Sequence, residues 1–562
     1  MRLAAFLVLL TLLPAAQAQQ EGVLQVGDAL SRTLLRQQAL GRLDGAFLSN
    51  QPLSAYAARA YADSTLGGAA PLGRADRSLL ERYVGLADGP GVAAVRRRVP
   101  FLYTNGSSFY SVRAEDYGLE LSPLATLSYG RARNERPAGS AAATPVWQNT
   151  RGVRAAGHIG PHVFFESRLL ENQRRVARPA FFRDTAPRLG GNIKFPGETT
   201  YDYFVATGLV GFRSKFFEAR LGRDRNRWGF GRTSLFLSDY ATVYDQVQLR
   251  TSFWRIHYTN LYARFSSLRP PGDRFAASIL PRKYGVFHRL ALDLPGRVQL
   301  ELFESVVFVT DTTGANRRTG FDFAYANPII FYRAVEHDLG SPDNVLLGAG
   351  FSWVATPGVQ VYAQGLLDEL RAEEFFNDWW GNRWGYQLGL FLVDPGIGAR
   401  RLRDFDLRIE YARQRPFLYS HRSEGTSYLH FNDLLGHPAG PNTSDLALSA
   451  SYRPTPRLWT TLDLAFTRRG RSPDDGRNFG DNPARSFEVR DFSLDDSTET
   501  LQGVRQRLML AEARVGYEVL PSLFAEVALR AESVDDAERG LDRYVAPFAS
   551  LRWGVPFQSV RY

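Results

Sequence analysis

DFDLRIEYA, residues 404–412, alternates without exception. Phe405, Leu407, Ile409 and Tyr411 fall on one side of a two-residue period, and Asp404, Asp406, Arg408 and Glu410 on the other. Successive side chains of a strand point to opposite faces, so this is a strand with one apolar and one charged face. DLALSASYR (445–453) and PSLFAEVALR (521–530) follow the same period. A soluble sandwich alternates too, so the pattern alone does not place these strands in a membrane.

The connections decide. Segments of this kind lie near 118–130, 148–158, 161–170, 202–212, 215–223, 243–252, 254–264, 284–294 and 298–309. They continue near 346–356, 358–368, 384–394, 404–414, 445–454, 457–468, 506–518, 521–531 and 543–553. Short links such as 213–214, 294–296, 356–358, 454–456 and 520–521 alternate with long ones. The long ones span 131–147, 171–201, 224–242, 265–283, 310–345, 369–383, 415–444, 469–505 and 532–542; only 395–403 is long for its parity. Short turns on one side and long loops on the other predict an all-β transmembrane barrel of about eighteen antiparallel strands. An even count returns both ends of the barrel to the short-turn side, expected to be periplasmic. Tyr517, Tyr544, Trp459 and Trp553 are expected in aromatic girdles, and the terminal Tyr562 suits an outer-membrane strand.

Upstream the period is helical. GDALSRTLLRQQALGRLDG (27–45), PLSAYAARAYAD (52–63) and RADRSLLERYVGLAD (74–88) read as short amphipathic helices. The expected organisation is a signal peptide over 1–18, a periplasmic helical region over 19–95, a connector over 96–117 and the barrel over 118–562. Arg2, the apolar run Leu3–Leu13 and Ala16-Gln17-Ala18 make the signal peptide, with cleavage after Ala18.

There is no cysteine, so neither disulfides nor thiolate metal sites can form. Of 68 basic residues only Lys194, Lys215 and Lys283 are lysine, and the net charge is +10. Arginine binds carboxylate and phosphate bidentately, which suits acidic glycans or lipid phosphates. Genomic composition bias explains the same numbers. Carboxylate pairs such as Asp368-Glu369 and Glu373-Glu374 read as solvated loop charges. His421, His430 and His437, or Glu336-His337-Asp338, match no metal-ligand spacing, and no serine sits in a G-x-S-x-G elbow. WGFGR (228–232) lacks the G-K-[ST] ending of a phosphate loop. No enzyme activity, metal, cofactor or nucleic acid is expected.

Two loops combine arginine with tryptophan: GRDRNRWGFGRTSLFLSD (222–239) and NDWWGNRW (377–384). Tryptophan faces stack on sugar rings and arginine pairs with uronates, so Arg223, Arg225, Arg227, Trp228, Arg232, Trp379, Trp380, Arg383 and Trp384 are the candidate glycan contacts. The competing reading makes these rings a lumen plug or part of the interfacial belt.

FEARLGRDRNRWGFGRTSLFLSD (217–239) resembles the most recognisable block of the Wzi-type capsule assembly family, in which a strand ending G-R-[DE] leads into W-G-x-G. ANPIIFYRAVEHD (326–338), GYQLGLFLVD (385–394), residues 417–454 and QQALGRLDGAFLSNQPLSAYAA (37–58) are similar to the family in the same order. The resemblance implies an eighteen-stranded outer-membrane barrel with a periplasmic helical bundle. It also implies a lectin-like, non-enzymatic role, holding capsular or exopolysaccharide, expected to be anionic, at the cell surface. Outer-membrane lipids and other polysaccharide export components are the further expected partners. The alternative is a porin or passive channel for small solutes, with Asp404, Arg408 and Glu410 in a polar lumen.

Overall fold

The computed structural model describes residues 22–135, 143–176, 193–197, 199–267, 282–309, 320–328, 343–369, 371–374, 377–397 and 400–556. The expected signal peptide, Glu336-His337-Asp338 and Tyr562 lie outside the described residues, as do parts of the loops at 171–201 and 310–345.

Eighteen antiparallel strands close into one barrel. They are β1 Tyr117–Glu135, β2 Ala143–Ile159, β3 Val163–Arg175, β4 Thr200–Arg213, β5 Phe217–Asp224 and β6 Tyr244–Phe253. Next come β7 Ile256–Ser266, β8 Arg282–Leu294, β9 Val298–Val309, β10 Asn344–Thr356, β11 Val359–Glu369 and β12 Arg383–Val393. The last six are β13 Phe405–Gln414, β14 Thr443–Tyr452, β15 Leu458–Arg471, β16 Val504–Leu520, β17 Leu523–Asp536 and β18 Gly540–Trp553. Each pairs with its chain neighbours, and β18 returns to β1 through pairs such as Leu551↔Leu127.

The wall is inverted relative to a soluble protein. Val527 is 58% exposed beside Glu526 at 4%, and Leu302 is 54% exposed beside Glu301 at 1%. Charge inside and aliphatic side chains outside is the arrangement a hydrocarbon solvent selects. No described helix is long and apolar enough to cross a membrane.

All eighteen strands lie where the alternation put them. Two loops differ: the β1–β2 ladder runs to Arg133↔Ala143, inside the connector expected at 131–147, and instead of a long connector at 532–542, Asp536 pairs with Gly540 and leaves a turn of residues 537–539. Beyond the apolar band both faces of β17 are polar (Asp535 and Asp536), so the period-two signal fades before the ladder does. The connector at 395–403 carries its own ladder, Ile397↔Arg400. Of the expected girdle residues, Tyr517 is exposed on the outer wall. Tyr544 pairs with lumen-facing Glu532, and a Cβ on lumen-facing Gly516 would strike the Trp459 ring. Trp553 packs edge-on against Phe109, at 5.6 Å. Trp254, Phe216 and Trp353 are exposed near the short turns instead.

Among the described residues four helices precede the barrel: α1 Ala29–Ala39, α2 Ala55–Gly67, α3 Arg74–Val84 and α4 Val92–Arg98, the last crossing the boundary expected at 95. Asp28 caps α1 by accepting from Leu30 N at 2.9 Å, and Ser54 caps α2 by accepting from Ala57 N at 3.3 Å. Gly85 ends α3 at φ 83°, a left-handed cap that glycine takes without strain. Leu30, Leu34, Leu48, Leu53, Ala58, Leu80 and Tyr83 make one core. That core is tied to the short-turn end of the barrel: Arg36 joins Asp76, Asp394 (2.9 Å) and Asp406, while Arg82 meets Glu518 at 2.8 Å.

Candidate functional site

The segment between α1 and α2 enters the lumen. Arg220 and Arg250 donate to Pro52 O at 2.8 and 3.0 Å, and Asn50 Nδ2 donates to Thr259 Oγ1 at 2.7 Å. Arg289, ion-paired to Glu301 at 2.6 Å, also donates to Ser49 Oγ. From the opposite end the β5–β6 loop folds inward to meet it. Arg227↔Gln51 and Trp228↔Asn50 form a two-residue antiparallel ladder, and Gly229 N donates to Ser49 O at 2.8 Å. Gly229 sits at φ 134°, with Gln364 close by where a Cβ would project.

Trp228 is 0% exposed, edge-on to Phe287 (6.2 Å) and Phe303 (6.3 Å), while Phe236 stacks on Phe303 at 4.7 Å. The β13–β14 loop covers this layer: Tyr419 and Tyr428 donate their hydroxyls to Leu235 O (2.9 Å) and Phe236 O (2.6 Å). Burial pushes His430, in the same layer, down to about 3. It pushes His421 down to about 3 as well, with Arg383 and Arg422 adding to the shift.

The nine candidate contacts therefore divide. Arg227, Trp228 and Arg232 belong to the plug. Arg227 donates to Gln51 Oε1 (3.0 Å), Arg232 N to Glu410 Oε1 (2.7 Å), and the Arg232 guanidinium pairs with Asp463. Arg225 reaches Asp239 O at 3.4 Å. Arg223 faces outward and pairs with Asp245 at 3.1 Å. Trp384 also lies on the outer wall, stacked on Tyr386 at 6.0 Å. Trp228 is closed to any external ligand in this structure, and Arg223 and Trp384 stand apart from the loop surface.

Trp379, Trp380 and Arg383 do come together, with partners the sequence did not single out. The β11–β12 and β15–β16 loops are joined by Trp380 N to Asp495 O (2.8 Å) and Thr498 N to Asp378 O (2.7 Å). The Arg490 guanidinium lies 3.7 Å from the Trp380 ring centroid and 4.3 Å from that of Phe492, and Asp495 clamps it at 2.7 and 2.8 Å. Arg371 sits 4.4 Å over Trp379, whose ring is 5.9 Å from Trp380. Gly381 passes directly beneath Trp379, leaving no room for a Cβ. Arg383, 1% exposed, supports the layer from below through Glu369 (2.8 Å), Asp368 (3.3 Å) and Ser420 O (2.6 Å). Phe492 is 60% exposed and Trp379 and Trp380 are half-buried, so the product is an aromatic platform at the long-loop end. The alternation of Arg490 and Phe492 beside Phe487 was the available signal, masked by the acidic residues around it.

The platform's loops are acidic. Residues 371–382 and 472–503 hold four arginines against eleven carboxylates. Among the described residues no group of three His, Asp or Glu is placed to hold a metal ion.

A closed, charge-lined, plugged barrel with an apolar outer wall defines an outer-membrane β-barrel. No family model and no curated protein matches the sequence. Among solved structures it is similar to Escherichia coli Wzi, described as an outer membrane protein involved in group 1 capsule assembly and a carbohydrate binding beta-barrel. That match has TM-score 0.54 and 13% identity over 96% of this chain and 100% of the other. Pseudomonas aeruginosa OprD (TM-score 0.39, 10% identity, 78% and 94% of the chains) and OpdK with vanillate (0.42, 10%, 78% and 98%) are also similar. The likeness to Wzi extends to the barrel fold.

Proposed function

We propose that this barrel binds and organises capsular or exopolysaccharide at the cell surface, without catalysis, and that its helical region is periplasmic. The aromatic platform of Trp379, Trp380 and Phe492 carries the reading. Arg371, Arg490 and Gly381 cover part of it, and the exposed Phe492 ring with the uncovered parts of Trp379 and Trp380 is left for sugar at the end of the barrel where long loops belong outside the cell. Arg371, Arg383 and Arg490 are already engaged by a ring or a carboxylate, so apolar contact with the remaining aromatic surface rather than ion pairing supplies the contact. An anionic polymer, expected from the arginine count, gains no support from this acidic sector. Neutral sugar faces fit it better. Weak contacts repeated along a polymer retain it by avidity.

The ladder across the lumen favours a retention role over a passive channel. Deletion of the gene followed by surface staining for polysaccharide tests the biology. Polymer shed to the medium is expected; unchanged retention with none shed contradicts the proposal.

A further inference from the structure

Around the outer wall, at the loop end of β13–β16, one lateral row of directly paired residues reads Arg413, Ser444, Arg468, Arg507. Directly opposite residues have Cβ atoms about 4.5–5.5 Å apart, and like charges so placed repel. Arg468 and Arg507 are such a pair, both exposed. Arg413 stands two strands from Arg468, roughly 10 Å at the usual strand spacing. Its Nε is buried without a hydrogen-bond partner.

Among the described residues one carboxylate, Asp535, borders the row and balances it only in part. Asp535, opposite Arg507, lies 4.0 Å from Arg505, which adds a further positive charge. Among the described residues no ion pair engages Arg413, Arg468 or Arg507. One step toward the short turns on the same face come Leu446, Phe466 and Met509, all exposed. The cations therefore stand at the edge of the apolar band, where headgroups meet acyl chains.

We infer that this row is a binding site for a phosphorylated, acylated sugar lipid of the outer leaflet. Phosphate oxygens would bridge Arg468 and Arg507, Arg413 would take a second anionic group, and acyl chains would lie on Leu446, Phe466 and Met509; Ser444, between Arg413 and Arg468, already donates to the Tyr411 hydroxyl at 3.0 Å. Guanidinium forks match phosphate oxygens two by two, and a dianion relieves a repulsion that the strand register imposes. The site rests on the long-loop end facing outward, as in the proposed function, but it is separate from the aromatic platform.

The test uses the full-length barrel in nonionic detergent, with binding of lipid A, dephosphorylated lipid A and phosphatidylglycerol read by native mass spectrometry. Lipid A is expected to be retained in preference to both others. Arg468→Gln with Arg507→Gln should lower its retention by about ten-fold or more, while heat-modifiable gel mobility and polysaccharide binding stay as in the parent. Equal retention of the dephosphorylated form, preference for phosphatidylglycerol, or full retention by the double variant overturns the assignment. Loss of polysaccharide binding alone bears on the platform and leaves this site standing.

Discussion

Trp228 and Asn50 are directly opposite one another in a two-residue ladder inside the barrel, although one arrives from the long-loop end and the other from the helical region. Their pairing joins the two ends of the molecule through the lumen. A barrel wall is held by its own closed ladder, so the plug can weaken without unfolding the wall.

Trp228→Ala removes a fully buried ring packed against Phe287 and Phe303. Large-to-small changes of this kind cost about 3–5 kcal/mol. The expected outcome is protease access to residues 225–242 with the heat-resistant gel mobility of the barrel retained. Loss of the folded barrel itself would show that the wall depends on the plug.

Glu301→Gln leaves Arg289 buried beside Ser49 with its charge uncompensated. Breaking a buried pair from one side costs about 3–5 kcal/mol. Hydrogen exchange over residues 46–54 should quicken markedly, while exchange in β15–β18 stays unchanged.

Acid should loosen the β13–β14 loop. His421 and His430 are held at about 3 by burial, so both are neutral in the folded loop at pH 7. An opened loop takes up protons near the ordinary value of about 6.5. Between about 6.5 and 3 the open form binds more protons, and loop stability falls as pH falls through that window, by at most ~1.4 kcal/mol per pH unit for each histidine. Above about 6.5 it is flat. Amide exchange over 417–437, corrected for intrinsic rates, should rise from pH 7 to pH 5; constant protection contradicts this.

Planar-bilayer conductance separates retention from passage. The parent barrel should stay closed, and Trp228→Ala should show brief openings. A large steady conductance in the parent would favour the channel reading.

The strands were legible because a barrel wall in lipid repeats one rule at every residue: DFDLRIEYA and PSLFAEVALR each carry the whole signal. The fate of the loops was not. RDRNRWGFGR has the composition of a solvated basic loop, yet a charged lumen accepts the same residues, with Arg232 meeting Asp463 and Arg408 donating to Phe230 O. Composition reports polarity and cannot say whether water or the inner wall satisfies it. The platform was half legible for a related reason. Trp379 and Trp380 stand out locally, whereas Arg490 and Phe492 reach them from more than a hundred residues away.

Binding of the purified full-length barrel to a panel of surface polysaccharides, compared with Trp379→Ala/Trp380→Ala, tests the glycan role most directly. The parent should bind at least one polymer, and the double variant should lose that binding with its gel mobility intact. Binding that survives both substitutions, or a parent that binds no polysaccharide, would contradict it.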